Sequence, residues 1–262
     1  MERSAEQDLN RHSWYCYHRQ PQEILSRTCH HLIAYLYKMN GIPRSGKLNP
    51  KLLSVIELIV GAFVVIGHNV YHVLPNEVPI LFVLGLISLR LRDGGWKAVG
   101  LQRPSSWTRL LVVAVAAAAL RILLGELVID PLTARFLPPA VAPAGIEEIA
   151  MNFKSALKWL GIIWTFAAFG EEFGYRGYLL TRAADIGSRS RIAYLFGLII
   201  TSILFGYGHY YKGPSGMIDS SVAGLILGSA FLLCDRNLWV CILAHGFIDT
   251  VGVITLFFGW QS

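Results

Sequence analysis

Charged residues are scarce in this chain of 262 residues, of which 15% are charged and 54% hydrophobic. Soluble domains carry about 25% charge, so this composition argues against an ordinary soluble domain and predicts a membrane protein. The net charge is +6. Since basic loops on one side of a membrane account for such a charge, it does not indicate a nucleic-acid partner.

Sequence patterns typical of several other protein classes are also missing. No internal repeat is visible, and the first apolar run is too short and interrupted for a signal peptide. The four cysteines have no metal or redox spacing, and no prenylation box ends the chain. We therefore predict free thiols at Cys16, Cys29, Cys234 and Cys241.

The polar stretch 1–51 stands apart from the rest, with eight Lys and Arg residues against four acids. It predicts a basic segment in the cytoplasm or on the membrane surface, either disordered or with an amphipathic helix over 24–39. Transmembrane helices and loops are expected over 52–150, and a membrane core that carries the polar motifs over 151–262.

Apolar segments predict an all-α, polytopic bundle of about seven transmembrane helices. The segment 78–89 is the weakest, because about 20 residues are needed to cross a bilayer. Lys/Arg-rich and Lys/Arg-poor connections alternate, which places the N-terminus in the cytoplasm. The predicted spans are 52–74, 78–89, 110–128, 156–180, 192–207, 218–233 and 238–258.

Two adjacent acids and an arginine interrupt the fourth apolar segment. Glu172 and Arg176 are four residues apart, which favours an ion pair on a helix. Glu171 is rotated by about 100° from Glu172 in an α-helix, so its carboxylate is expected in another environment. Intramembrane acids usually mark a site or a proton path, whereas a solvated helix end with a surface ion pair is the simpler alternative.

Two further polar pairs lie in apolar segments, Phe205 with His209 and His245 with Asp249, each four residues apart. We expect them to converge with the acids of the fourth span. At a rise of 1.5 Å per residue, the fifth span carries His209 across the bilayer, to the membrane face opposite the one where this span begins. Convergence therefore requires spans that tilt, bend or begin outside the hydrocarbon.

These residue types suit the activation of water. No serine or cysteine adjoins either histidine in a nucleophile motif, which disfavours a covalent acyl-enzyme. Either Glu171, His209 and His245 hold a zinc ion that activates the water, or Glu and His act as bases without metal. The attacked group would be an amide, whose oxyanion needs a neutral donor.

The three motifs Glu171-Glu172-x-x-x-Arg176, Phe205-x-x-x-His209 and His245-x-x-x-Asp249 resemble those of CPBP intramembrane proteases. That family includes type II CAAX prenyl proteases and bacteriocin-immunity proteins. The resemblance covers roughly 159–259, and the segment 96–101 resembles a short element found upstream in the family.

The resemblance implies a role for each motif residue within a cavity that opens towards the cytoplasm. Position 249 departs from the CAAX-processing members, which typically carry Asn there, and an ionised Asp cannot donate to an oxyanion. The implied roles are water activation by Glu171 and His209, oxyanion binding by His245 with Asp249 beside it, and support of the site by Glu172, Arg176 and Phe205.

The resemblance thus implies an integral multi-pass membrane endopeptidase that cleaves a prenylated protein or another membrane-anchored peptide within the lipid bilayer. It favours a glutamate-type protease without a cofactor, with zinc as the alternative. A non-proteolytic membrane factor that binds a lipidated peptide or partner, as immunity-type members do, is the other function class.

Overall fold

The computed structural model describes residues 49–260, which form helices and turns and contain no strand. The predicted basic segment 1–51 lies outside the described residues except for its last three, and so do Cys16 and Cys29. The α-helices are α1 (Pro50–Asn69), α2 (Glu77–Ser88), α3 (Trp107–Leu124), α4 (Asp130–Thr133), α5 (Phe153–Ile162), α6 (Thr181–Ile186), α7 (Arg191–Tyr207), α8 (Gly213–Leu233) and α9 (Leu238–Phe258).

Short polar residues set the starts of six of these helices. In each case an Asn or Ser side chain accepts a hydrogen bond from a backbone N–H of the first turn, which satisfies a donor that the helix leaves free. Apolar runs alone do not define these starts. The capping residues are Asn49, Asn76, Ser106, Asn152, Ser190 and Asn237.

Each of the seven predicted apolar segments coincides with helical structure, which confirms an all-α membrane bundle. Among residues 49–260, four helices are long and apolar enough to cross a membrane, namely Pro50–Asn69, Trp107–Thr133, Tyr210–Leu233 and Leu238–Phe258. The outer surface is apolar as well, since large side chains such as Phe63, Val112 and Phe196 are exposed. Such a surface is expected to face lipid.

Several predicted span ends differ from the observed helix ends. The first helix ends at Asn69 rather than 74, because His68 Nδ1 donates to the Leu74 carbonyl at 3.0 Å and holds a turn. Within that turn His72 has a φ of 54°, a left-handed conformation that an α-helix does not contain. The third span continues beyond 128 into α4.

The fourth span belongs to a continuous helical segment over 153–186, which we call the motif helix. Between α5 and α6 its backbone widens into two π-helical stretches, Ile163–Glu171 and Phe173–Leu180. The α-helical rotation of 100° per residue expected around Glu171 is therefore wrong for this segment. π-Helical turns are rare and occur frequently at functional sites.

A network of charged side chains ties one end of the motif helix to α1 and to the chain after α2. Arg182 is 1% exposed and forms ion pairs with Asp93, with Asp185 at 2.8 Å and with Glu57 at 3.3 Å. Arg92 also pairs with Glu57 and donates to Ser54 Oγ at 2.8 Å. This end network fixes the motif helix at the end that follows its acids.

The opposite end of the bundle joins the 130–151 loop to the start of α8. Ser215 Oγ donates to the Pro138 carbonyl at 2.5 Å, and the Val141 N–H donates to the Lys212 carbonyl at 3.0 Å. Two connections that are poor in Lys and Arg, 130–151 and 209–216, thus meet at this end of the bundle, away from the end network.

Candidate active site

The Glu172 carboxylate lies at the centre of the polar site. Its side chain is 0% exposed, and its Oε1 accepts from Arg176 Nη1 at 2.8 Å and from His245 Nδ1 at 2.7 Å. Arg176, 2% exposed, also donates to the Gly224 carbonyl at 3.3 Å. Glu172 therefore accepts one hydrogen bond within the motif helix, from Arg176, and one that links this helix to α9, from His245. Hydrogen bonds to a charged group are the stronger kind.

His245 faces two carboxylates. Its Nδ1 donates to Glu172, while its Nε2 lies 3.5 Å from Asp249 Oδ2. Asp249, four residues further along α9, is therefore one of two carboxylates that His245 contacts. Spacing in the sequence predicts the contact with Asp249 but not the one with Glu172, because Glu172 lies 73 positions away on another helix.

The Phe205 ring connects the remaining motif residues. Its centroid lies 4.7 Å from the His209 ring and 6.1 Å from the His245 ring, and the Arg176 guanidinium carbon lies 4.3 Å above it. These contacts explain how His209 is connected to the other motifs. The Phe205 ring lies between His209 and the residues Arg176 and His245, across the distance that the rise per residue predicts between them. A cation above an aromatic face is a stabilising contact.

His209 lies just beyond the end of α7, not on the helix as its spacing from Phe205 suggests. Its Nδ1 is 2.9 Å from the Phe205 carbonyl, an acceptor, so Nδ1 carries the proton. In the neutral imidazole, Nε2 then offers a lone pair. This tautomer suits a ring that accepts a hydrogen bond from water.

Glu171 is held differently from its neighbour Glu172. Its Oε2 is buried and has no hydrogen-bond partner in the described part of the chain, and no ion pair there involves its carboxylate. The two adjacent acids thus differ: Oε1 of Glu172 accepts from two donors while its Oε2 is unbonded, whereas Glu171 makes no hydrogen bond or ion pair within the described residues. A free acceptor in a buried site is what a general base requires.

Close packing fixes the position of α9 beside the motif helix. The Trp164 ring lies so near Gly246 that a Cβ there would be 2.5 Å from it, and Trp164 Nε1 donates to Thr250 Oγ1 at 3.2 Å. Gly246 directly follows His245. The contact therefore sets the distance at which His245 approaches Glu172.

A zinc site does not fit this arrangement. Within residues 49–260, no three His, Cys, Asp or Glu side chains are grouped so as to hold a metal ion. His245 has both ring nitrogens directed at carboxylates. We therefore derive no catalytic step through a metal.

Tyr175 is a site residue that the motif analysis does not identify. Its ring meets Phe205 edge to face, with centroids 5.0 Å apart, and its buried hydroxyl has no partner among the described residues. The only sign in the sequence that Tyr175 lies near the site is its position four residues after Glu171. Aromatic residues at helical spacing usually belong to the hydrophobic core, so this sign is weak.

The comparisons with known proteins agree with the motifs. Residues 153–251 match the family model described as type II CAAX prenyl endopeptidase Rce1-like. No curated protein and no solved structure matches the chain significantly. This match confirms the predicted resemblance to CPBP/CAAX proteases over residues 153–251, and the apolar helices around it indicate an integral membrane protein.

Proposed function

We propose that this protein is an intramembrane endopeptidase that hydrolyses a peptide bond in a membrane-anchored substrate, with an S-prenylated C-terminal peptide as the substrate class. The observation that carries the proposal is the pair of adjacent acids. Glu172 is held by Arg176 and His245, whereas the Glu171 carboxylate has no hydrogen bond and no ion pair among the described residues.

Glu171 acts as the general base in this proposal, and His209 orients the attacking water through its Nε2. Glu171 takes a proton from the water as the water oxygen bonds to the carbonyl carbon, and the carbonyl π electrons move to oxygen as an oxyanion. The tetrahedral intermediate then collapses and the C–N bond breaks. Glu171 returns the proton to the leaving nitrogen, so the products are a carboxylic acid and an amine.

Glu172 and Arg176 position the site in this proposal and take no part in proton transfer. Glu172 orients His245, and Arg176 neutralises Glu172 in surroundings where a lone charge is costly. The family match supports the substrate class, because the description of the matched family model is type II CAAX prenyl endopeptidase Rce1-like. We also propose that the N-terminus lies in the cytoplasm.

The test is cleavage of a synthetic peptide that ends in S-farnesylcysteine followed by three residues, by purified protein in liposomes. We expect Glu171→Ala, Glu171→Gln and His209→Ala to abolish hydrolysis and to leave thermal unfolding close to that of the wild type. Glu148→Ala, which alters an exposed acid in a loop, is the matched control and should retain full activity.

Full activity in either a Glu171 variant or His209→Ala would overturn the mechanism. A wild-type protein that leaves the farnesylated peptide intact would overturn the proposed function itself. A non-proteolytic, immunity-type protein would then be favoured, provided that the same liposomes retain the farnesylated peptide.

A further inference from the structure

We propose that a cavity at the end of the bundle that carries the end network binds the phosphate of an anionic phospholipid headgroup. Such binding goes beyond the proposed hydrolysis and does not depend on it. The cavity has a volume of about 190 Å³ and lies where the motif helix meets the turns after α6 and α8. Three basic side chains line this basic cavity, Lys97, Arg189 and Arg236, together with Tyr194 and Asp235.

Two of the three cations have no anionic partner of their own. Arg189 belongs to the end network, because it pairs with Asp185 at 2.5 Å and with Asp93 at 3.4 Å. Lys97 and Arg236 form no ion pair within residues 49–260, and the Lys97 side chain makes no hydrogen bond there. An anion that enters the basic cavity therefore meets two cations whose charge is not already compensated.

The Tyr194 hydroxyl fixes the direction of the Arg236 guanidinium. Arg236 Nη1 donates to that hydroxyl oxygen at 3.0 Å, and the guanidinium carbon lies 5.3 Å from the centre of the buried Tyr194 ring. Because the oxygen accepts this bond, the hydroxyl can still donate its own hydrogen. The other N–H groups of the guanidinium form a planar fork that matches the oxygens of a phosphate. The basic cavity thus holds an arginine that is oriented before a ligand arrives.

The backbone of both arginines is left-handed. The φ angle is 56° at Arg189 and 59° at Arg236, and in each case the preceding residue also has a positive φ. The two turns end α6 and α8, since the Arg189 N–H donates to the Ala184 carbonyl and the Arg236 N–H to the Phe231 carbonyl, both at 2.8 Å. Glycine is the usual residue at such a helix end. An arginine in both turns, despite its conformational cost, indicates that the side chain is needed there.

Aromatic and apolar side chains place the basic cavity at the level of lipid headgroups. Trp96 and Trp107 are about half exposed at this end, and tryptophan is enriched at membrane–water interfaces. Leu195 and Leu233, close in sequence to the cavity residues, are exposed and are expected to face acyl chains. A phospholipid can therefore place its phosphate in the cavity and its acyl chains against the bundle. Basic pockets between transmembrane helices are known to bind anionic headgroups.

The experiment measures the binding of dioleoylphosphatidylglycerol to the purified full chain in a zwitterionic detergent, from the rise in Tm as lipid is added. A ligand that binds the folded chain stabilises it, so the rise gives an apparent Kd. Dioleoylphosphatidylcholine, whose phosphate charge is neutralised by choline, is the lipid control. We expect phosphatidylglycerol to bind roughly 25-fold more tightly, about fivefold for each of the two unpaired cations. Millimolar inorganic phosphate should not displace it.

Variants distinguish a built site from the general positive charge of this end. Lys97→Gln and Arg236→Gln should each raise the apparent Kd for phosphatidylglycerol about fivefold. Arg90→Gln is the matched control, because it removes an exposed cation at the same end that does not line the basic cavity. It should leave the Kd within about twofold of the wild-type value, since salt screens exposed charges outside the cavity.

Equal losses of affinity in Lys97→Gln and Arg90→Gln would overturn the inference, because they would show diffuse attraction to the whole end. Equal binding of the two lipids would overturn it as well. Displacement by inorganic phosphate would assign the basic cavity to a soluble phosphate instead of a lipid. Lys97→Gln breaks no side-chain contact of the described residues, so the test holds even where Arg236→Gln fails to fold. None of these outcomes bears on the proposed hydrolysis, which is tested by cleavage.

Discussion

Neutralising Glu172 should destabilise the folded protein far more than neutralising its neighbour Glu171. The perturbation is Glu172→Gln, which keeps the size of the side chain and removes its charge. Glu172 Oε1 accepts from two donors, Arg176 and His245, and neither Glu172 nor Arg176 reaches solvent. The substitution leaves the guanidinium buried without a compensating anion.

The magnitude follows from the burial of that pair. Removing one partner of a buried ion pair costs about 3–5 kcal/mol. Each kcal/mol lowers Tm by roughly 2–4 °C in a domain of about 150–250 residues. Glu172→Gln is therefore expected to lower Tm by roughly 6–20 °C. Glu171→Gln breaks no hydrogen bond or ion pair within residues 49–260 and should shift Tm little.

The assay is thermal unfolding of both variants in one mild detergent, followed by intrinsic fluorescence and by the yield of monodisperse protein. Arg176→Gln is a second variant, which removes the other partner and should lower Tm to a similar extent. Equal Tm values for Glu171→Gln and Glu172→Gln would refute the reasoning, because they would mean that the Glu172–Arg176 pair is hydrated.

Two further predictions concern metal and acid. We expect purified protein to carry no stoichiometric zinc and to keep its activity in EDTA, because no three described ligands are grouped for a metal; elemental analysis that finds a tightly bound zinc, with activity lost on its removal and restored on re-addition, would contradict this. At the end network, burial alone raises the pKa of the Asp185 carboxyl, but hydrogen bonds from Arg189 and Arg182 outweigh burial and lower that pKa below its ordinary value. The stabilisation is therefore present above the unfolded pKa of about 3.9 and is lost as pH falls through the lower folded pKa. Asp185→Asn should flatten the dependence of Tm on pH below about pH 4, and an unchanged acid profile would argue against the network.

The sequence is sufficient to predict the helices but not all of their ends. Apolar runs identify the seven helical segments, because a bilayer-spanning backbone must satisfy its own hydrogen bonds. The end of α1 is missed, since 70–74 is as apolar as the helix before it. What ends the helix is the bond from His68 to the Leu74 carbonyl, and hydropathy carries no signal for it.

The candidate site is predictable as a set of motifs but not as a set of contacts. The four-residue spacing correctly predicts the Glu172–Arg176 pair, because residues four apart lie on neighbouring turns of a helix and their side chains can reach each other. It does not predict the bond from His245 to Glu172, because these residues are 73 positions apart on two different helices. Tyr175 is missed because a tyrosine among apolar residues looks like packing, and only its unpaired hydroxyl marks it.

The contact between Trp164 and Gly246 bears on how distant relatives of this protein can be recognised. Catalytic side chains alone give a weak search pattern, since a His and an Asp four residues apart occur by chance in many helices. A glycine immediately after the histidine, paired with a large aromatic residue seven positions before the first glutamate, adds a steric requirement that chance does not supply. Such a pattern detects the packing that sets the site, and it applies even where position 249 differs.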